Sequence, residues 1–209
     1  MEIELVYQDA QLALAVKPAL VLSEEGGMPE LLRAQTGAKE IFCVHRLDKA
    51  VGGLMVYAKT KAAAAALSAQ IAAGEMDKRY LAVCRGETPA CGEMRDLLYH
   101  DAAKNKSYVV KRKRRGVREA VLRYETLSVV EGKSLVRVEL LTGRSHQIRV
   151  QFASRGYPLL GDRRYGGEAA ETLALWCESL RFVHPKTGEE LSFSAQPKGE
   201  VWEEFLKNP

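Results

Sequence analysis

The chain has 209 residues, of which 46% are hydrophobic and 28% charged, an ordinary balance for a soluble protein with one large domain or two small ones. No apolar run approaches the roughly 18 residues that a helix needs to span a bilayer, so a helical membrane protein is excluded. The formal net charge of +4 identifies no partner by itself.

The N-terminal third is predicted to contain short strands and two helices. Asp9 begins a turn between the first two strands, and a later apolar run predicts a strand just before the clearest helix. Thr60 can cap that helix, its alanine-rich interior has high helix propensity, and Gly74 can end it. The predicted strands are 3–7, 13–17 and 54–59, and the predicted helices are 29–35 and 60–73.

The rest of the chain is predicted to be richer in strands. Two alternating stretches joined by a turn at 131–133 predict a hairpin, while Ser145 near an N-cap and Gly156 past the last turn bound a predicted helix. The predicted strands are 79–85, 120–130, 134–141 and 191–195, and the predicted helices are 145–155 and 201–206. Because strands outnumber helices and most are joined by hairpins, the sequence predicts an α+β fold on a large, mainly antiparallel sheet with flanking helices.

The cysteine pattern favours a reduced protein without a metal centre. The four cysteines are scattered and form no Cys-x-x-Cys pair, which disfavours both zinc and a disulfide framework. The acidic N-terminus lacks the basic region of a secretory signal, so we expect a cytoplasmic protein. Neither a Gly-x-Gly-x-x-Gly nor a phosphate-loop pattern occurs, and no cofactor is therefore expected.

The basic residues are concentrated in one stretch. Residues 104–118 include eight Lys or Arg and no acid, with an unbroken run at Lys111-Arg112-Lys113-Arg114-Arg115. Charge of this density attracts polyanions through counterion release. The alternative is a solvated hairpin tip, but like charges this close repel one another without a partner.

One carboxylate stands at the entrance of a predicted strand. Asp48 follows His45-Arg46-Leu47 and precedes Gly52-Gly53, so a bend there can aim it into a cleft. The alternative is a turn-capping aspartate, which is common beside glycines. Arg46 would point the same way in an extended segment. It could pair with Asp48, reach a phosphate, or be an ordinary surface arginine.

A second stretch, 142–149, is rich in basic residues. If a helix starts at Ser145, Arg144 lies beside unsatisfied N–H groups, where anions bind. An arginine there could orient Asp48 through a bidentate pair, or merely tie two segments together. For His146 a structural hydrogen bond is favoured over a role as general base.

Aromatic residues offer one further candidate. Tyr80, at a predicted strand start, could stack on a base or move a proton through its hydroxyl, although a half-buried strand aromatic is the default. His184-Pro185 is interpreted as a structural turn. The aromatic residues expected in the core are Trp176, Phe193, Trp202 and Phe205.

Six motifs occur in order and well spaced between about residues 3 and 205. They are Lys17-Pro18; His45-Arg46-Leu47-Asp48 with Gly53-Leu54 and Ala58-Lys59; Lys78-Arg79-Tyr80-Leu81-Ala82; Thr142-Gly143-Arg144-Ser145-His146-Gln147-Ile148-Arg149; Gly161-Asp162 with Tyr165-Gly166; and Leu180-Arg181-Phe182-Val183-His184-Pro185. Each alone is weak, but together they closely resemble the RluA-like family of RNA pseudouridine synthases.

The resemblance implies one catalytic domain over 1–209, with a central cleft and without the accessory S4-like RNA-binding domain of some relatives. It implies that Asp48 is the catalytic carboxylate, that Arg144 pairs with it, and that Tyr80 packs on the target base. The reaction would convert a uridine of ribosomal or transfer RNA to pseudouridine without a cofactor, after the base flips out of its stem. The residues expected to contact RNA are His45, Arg46, Lys78, His146, Arg149, Lys111, Arg112, Lys113, Arg114 and Arg115.

The chain departs from the family pattern beside Asp48. Val51-Gly52 stands where Thr-Ser is usual, which removes two hydroxyls. Ser145 replaces a usual Thr, and Ala19-Leu20 stands where Gly is common. Two other functions stay open: a non-catalytic RNA-binding module on the same fold, and an unrelated aspartate-dependent hydrolase with metal ligands or a second carboxylate. A monomer that recognises an RNA stem-loop, with no membrane partner, is the default expectation.

Overall fold

The computed structural model of the chain describes residues 1–206. They divide into two units, one formed by Met1–Lys78 with Trp176–Pro197 and the other by Arg79–Leu175 with the residues from 198 onward. Both units consist of β-sheet with helices, which confirms the predicted α+β class.

The bounds of the elements are as follows. The strands are β1 (Leu5–Gln8), β2 (Leu12–Lys17), β3 (Phe42–Cys43), β4 (Gly52–Ala58), β5 (Asp77–Arg85), β6 (Cys91–Asp101), β7 (Lys106–Val110), β8 (Val117–Val130), β9 (Lys133–Leu140), β10 (Leu175–Val183) and β11 (Glu190–Ser194). The helices are α1 (Met28–Thr36), α2 (Lys61–Ala73), α3 (Gln147–Ala153) and α4 (Glu200–Leu206).

Strand β4 is the centre of the first unit. Its continuous apolar run buries every residue, as expected for a strand covered on both faces. It pairs antiparallel with β2 and β3 and parallel with β10, while β1 extends the sheet beyond β2 and β11 beyond β10. Helix α2 follows β4 directly. As predicted, the Thr60 hydroxyl accepts the Ala63 N–H (3.1 Å) at its start, and Gly74 ends it in the left-handed region.

The second unit is an antiparallel sheet in the order β5-β9-β8-β6-β7. The 14-residue strand β8 lies between β9 and β6 in this order, and the predicted hairpin joins it to β9. Val150 of α3 packs on Leu98 and Ala120 of the sheet, with Tyr165 against the same cluster. Strand β7 lies at one edge of this sheet and, with α3, borders the segment that carries Arg144.

Several predicted bounds are wrong, each for a local reason. The strand expected at 54–59 begins at Gly52, because Gly52 and Gly53 pair with β10. The helix expected at 145–155 covers only α3, since His146 has a left-handed backbone (φ 56°) that no helical residue adopts. Strands β3, β6, β7 and β10 are not predicted at all. Charged residues interrupt the apolar pattern of β6 and β10, whereas β3 and β7 are only two and five residues long. The C-terminal strand and helix are confirmed as β11 and α4.

Two of the expected core aromatics, Trp202 and Phe205, are fully buried. Phe193 is half-buried and packs between Tyr7 (5.4 Å between ring centroids) and Phe182 (6.5 Å). Trp176 is also half-buried, and its indole N–H donates to a carbonyl of the same unit.

We predict that Gly53→Ala strongly destabilises the first unit. Gly53 has a φ of 119°, and a Cβ there would lie 2.4 Å from the Cys177 nitrogen and 2.5 Å from its oxygen. Strained backbone and overpacking together should lower the free energy of unfolding by about 3 kcal/mol, measured by urea denaturation.

Gly132→Ala is the matched control, because Gly132 also has a positive φ (71°) but open space around its Cβ position. It should cost only the conformational strain, about 1 kcal/mol. Equal losses in the two variants would show that the contact with Cys177 does not matter.

Candidate active site

Asp48 lies in the turn that leads into β4. The Asp48 carbonyl accepts the Val51 N–H (2.9 Å), which closes the turn. The preceding residue, Leu47, is buried, and both its N–H (3.1 Å) and its carbonyl (2.7 Å) are bound by the Ser23 hydroxyl. The backbone is therefore held on both sides of Asp48, whose side chain is half-buried.

The turn is closed although Val51 and Gly52 lack the two hydroxyls that the resemblance leads us to expect there. Val51 is buried and supplies the N–H that closes the turn. A Cβ at Gly52 would lie 2.6 Å from the ring of Trp176, so this position has no room for a serine. The departure is thus matched by the residue that fills the space on β10.

Lys17, at the end of β2, lies beside the Asp48 turn, and the sequence predicts no role for it. It is completely buried. Its Nζ donates to the carbonyl oxygens of Pro18 (2.9 Å), Val21 (2.8 Å) and Lys49 (3.3 Å). Burial lowers the pKa of Lys17 to about 8, an effect that the charge of Asp48 partly opposes. Its only signal in the sequence is the Lys17-Pro18 motif, which predicts no role.

His45 and Arg46 precede Asp48 and differ in exposure. His45 is buried, and its Nε2 accepts the Val56 N–H (3.2 Å). Burial, and to a smaller extent the charge of Lys78, lowers the pKa of His45 well below the usual range. A neutral imidazole that accepts a backbone hydrogen bond favours a structural role. Arg46 is exposed and pairs with Glu24 (3.2 Å), a contact weak enough to be exchanged for a phosphate.

Lys78 lies at the start of β5 and is half-buried. Burial lowers the pKa of its ammonium group, and the nearby thiol of Cys177 opposes the shift. Its expected contact with RNA stays a prediction.

In the second unit, Tyr80 lies on β5 opposite Val138 of β9 and is only 6% exposed. Its ring is therefore held in place by the sheet. Its expected packing on the target base stays a prediction.

Arg144 lies in the loop between β9 and α3, and it is exposed. Its Nε donates to the Glu119 carbonyl (2.9 Å), which anchors the inner part of the guanidinium. Gln147 holds the loop itself: its side-chain oxygen accepts from the Arg144 N–H (3.0 Å) and from the Thr142 hydroxyl (2.8 Å). The loop thus presents Arg144 from a fixed backbone.

A hydroxyl-centred network supports the same loop from the other side. The Tyr165 hydroxyl lies 2.9 Å from Nδ1 of His146 and accepts the Ser107 N–H (2.7 Å). The Ser107 hydroxyl in turn donates to the Ser145 carbonyl (2.6 Å). His146 is buried here, in keeping with the structural hydrogen bond favoured by the sequence.

Arg149 forms a buried bidentate ion pair with Asp162, with N–O distances of 2.7 and 2.9 Å. Its guanidinium also lies 5.2 Å from the ring centroid of Tyr165. This geometry favours a role in holding α3 to the 162–165 segment. The expected RNA contacts of Arg149 and His146 stay predictions.

The basic run Lys111–Arg115 forms the connection between β7 and β8, and all five side chains are exposed. Arg114 stacks over the ring of Tyr99 (4.9 Å to the centroid). The remaining cations extend into solvent, where a polyanion can reach them.

Within residues 1–206, no cluster of His, Cys, Asp or Glu is arranged to hold a metal ion. None of the helices in that range is long and apolar enough to cross a membrane.

Comparison with known proteins identifies the family. Residues 11–154 match the model of the RNA pseudouridylate synthase family. The dual-specificity RNA pseudouridine synthase RluA of Haemophilus influenzae is 33% identical over 208 residues, covering 93% of each chain. The ribosomal large subunit pseudouridine synthase D of Pseudomonas aeruginosa is 34% identical over 230 residues, covering 97% of this chain and 71% of the relative.

Solved structures show the same fold. The human RNA pseudouridylate synthase domain containing 1 has a TM-score of 0.81 at 21% identity, covering 94% of this chain and 84% of that one. A second human structure, RNA pseudouridylate synthase domain containing 4, has a TM-score of 0.77 at 22% identity, covering 93% of this chain and 88% of that one. The chain therefore belongs to the RluA-like family of RNA pseudouridine synthases, isomerases that convert uridine to pseudouridine in RNA.

Proposed function

We propose that this enzyme isomerises specific uridines in stem-loops of ribosomal or transfer RNA, with Asp48 as its catalytic carboxylate. The observation that carries the proposal is the turn at Asp48, which holds one half-buried carboxylate on a rigid backbone at the start of the most buried strand. Relatives named as ribosomal large subunit synthases support a ribosomal target, and the dual-specificity name of others supports more than one.

The reaction requires few groups. The N1–C1′ bond of uridine breaks, the uracil turns, a C1′–C5 bond forms, and the C5 proton leaves to solvent as one returns to N1. Atoms and electrons balance within the nucleotide, so no redox partner is needed. Asp48 can serve either by attacking C1′ or by removing a C2′ proton, and both roles need a positioned carboxylate.

Two residues of the second unit complete the proposed chemistry. Tyr80, fixed on β5, is proposed to pack on the target base. Arg144, on its anchored loop, is proposed to pair with Asp48 and orient it. The family match begins in the first unit and ends in the second, which supports one catalytic domain over 1–209.

RNA contact is proposed for the exposed cations. Arg46 can exchange Glu24 for a phosphate near the target, and Lys111–Arg115 can follow the RNA backbone. For the buried His45, His146 and Arg149 we propose that they support RNA binding by holding these segments in place. The four free cysteines support a cytoplasmic enzyme, and we propose that it acts as a monomer.

Asp48→Asn should abolish pseudouridine formation while leaving folding and RNA binding intact, because the amide keeps the shape and loses the charge. We expect tritium release from 5-labelled uridine in RNA to fall at least about 1,000-fold. In cells that lack the gene, carbodiimide mapping of total RNA should show a site that the intact protein restores and Asp48→Asn does not.

Asp77→Asn is the matched control, since it removes an exposed carboxylate that pairs with Arg181 at the start of β5. In cells that lack the gene, Asp77→Asn should restore pseudouridine at the mapped site fully. Restoration by Asp48→Asn as well would refute the catalytic assignment.

Arg144→Gln should lower the single-turnover rate at saturating RNA by about 100-fold or more, because an oriented bidentate partner is lost. Arg144→Lys should recover only part of the rate, since an ammonium cannot make the same fork. Arg123→Gln, which removes an exposed arginine paired with Glu93, should have no effect. A loss confined to RNA affinity would show that Arg144 binds RNA without serving the chemistry.

Neutralising three loop cations (Lys111→Gln, Lys113→Gln, Arg115→Gln) should weaken RNA binding without changing the rate at saturation. With about 0.7 counterions released per phosphate contact, the slope of log affinity against log salt should fall by roughly 2. The exposed lysines Lys39, Lys61 and Lys186, changed together to Gln, match the charge loss and should leave the slope unchanged. Equal slopes for the two triple variants would mean that the loop makes no phosphate contacts.

A further inference from the structure

The second unit has an open groove of about 420 Å³ between β7, α3 and the 164–166 turn. Its floor is apolar and consists of Val109, Val150 and Ala153. The groove is separate from the residues proposed above for catalysis, none of which lines it.

Two cations stand at the rim of the groove. The Lys106 ammonium lies 5.3 Å from the ring centroid of Tyr165 and 5.7 Å from that of Tyr108. Arg164 is anchored by its Nη1, which donates to the Lys104 carbonyl (2.7 Å). Among the described residues, the groove lining includes no carboxylate. Asp101 of β6 lies opposite Lys106 in the strand register, but it does not line the groove, so the two lining cations favour an anionic ligand.

An exposed aromatic surface accompanies these charges. Tyr108 is 36% exposed, and Val109, which points to the opposite face of β7, is 38% exposed. The opposite wall, Tyr165, is fixed by its hydroxyl contacts with Ser107 and His146. A flat group could thus pack on Tyr108 if the Lys106 ammonium moved off the ring, while the Tyr165 wall stayed in place.

The groove continues into the basic loop. It lies at the beginning of β7, and Lys111–Arg115 follows the end of that strand. Five strand residues span roughly 17 Å, and β7 is at the sheet edge, with only β6 as its strand partner among the described residues. One extended polyanion could therefore contact both cation clusters along β7.

A flat base linked to a phosphate matches this combination better than a peptide does. Single-stranded nucleic acid is held by aromatic stacking together with cations along its backbone. A peptide could add to the edge of β7, but the Ser107 N–H that would pair with it already donates to Tyr165.

We propose that this groove binds one unpaired nucleotide of the substrate RNA away from the target uridine, with its phosphate on Lys106 and Arg164 and its base against Tyr108. This proposal rests on the proposed RNA-modifying function. It adds a second recognition point that governs affinity and leaves the chemical step unchanged.

The test uses the full chain, a fluorescein-labelled decamer of uridine, and its abasic counterpart, with binding followed by anisotropy at several salt concentrations. The double variant Lys106→Gln with Arg164→Gln should reduce the slope of log affinity against log salt by roughly 1.4, because each of the two phosphate contacts contributes about 0.7. Tyr108→Ala should weaken binding of the uridine decamer roughly tenfold, keep the slope, and leave abasic binding unchanged. Lys39→Gln with Lys61→Gln is the matched control and should behave as the wild type.

Activity measurements distinguish failure of the groove proposal from failure of the proposed function. With RNA as substrate, the groove variants should keep the wild-type single-turnover rate at saturation while the RNA concentration needed for half-saturation rises. If the wild type is active and the groove variants bind the decamer like the control, the groove proposal is overturned, and the β7 edge is left to a peptide partner. A wild type that forms no pseudouridine in any RNA overturns the proposed function and the groove's substrate with it.

Discussion

The turn that carries Asp48 depends on one buried ammonium group. Removing a lysine from water costs several kcal/mol unless its donors are satisfied, and Lys17 meets that condition with three backbone carbonyls. The Lys49 carbonyl also accepts the Leu20 N–H (2.7 Å), so the loop after β2 and the turn before β4 share an acceptor. Neither segment can shift without removing an acceptor from the buried Lys17 ammonium group, which costs about 1–3 kcal/mol for each hydrogen bond lost.

The second unit positions its loop with a hydroxyl network and a buried ion pair. The Tyr165 hydroxyl links His146 and Ser107, and Ser107 reaches the carbonyl next to Arg144. The buried pair of Arg149 and Asp162 holds the two sides of this network together. Both candidate catalytic loops therefore lack regular secondary structure but are held rigidly. Catalysis by precisely positioned groups requires such rigidity.

The sequence predicts the parts of this molecule that local chemistry determines. Thr60 and Gly74 identify α2 because capping depends on adjacent residues, and the apolar run of β4 identifies a buried strand. What the sequence does not reveal depends on distant partners. The parallel pairing of Gly52 with Trp176 extends β4, and the left-handed backbone of His146 shortens α3. The role of Lys17 is hidden because its three acceptors are backbone atoms, which any residue could supply.

The contact between Gly52 and Trp176 links the residue types that these two positions can carry. The indole ring occupies the volume that a side chain at 52 would need, and its N–H is held by the Ala195 carbonyl (2.7 Å). A side chain with a hydroxyl could therefore be placed at 52 only together with a smaller side chain at 176. The two positions therefore form one unit of variation, although they lie 124 positions apart in the sequence.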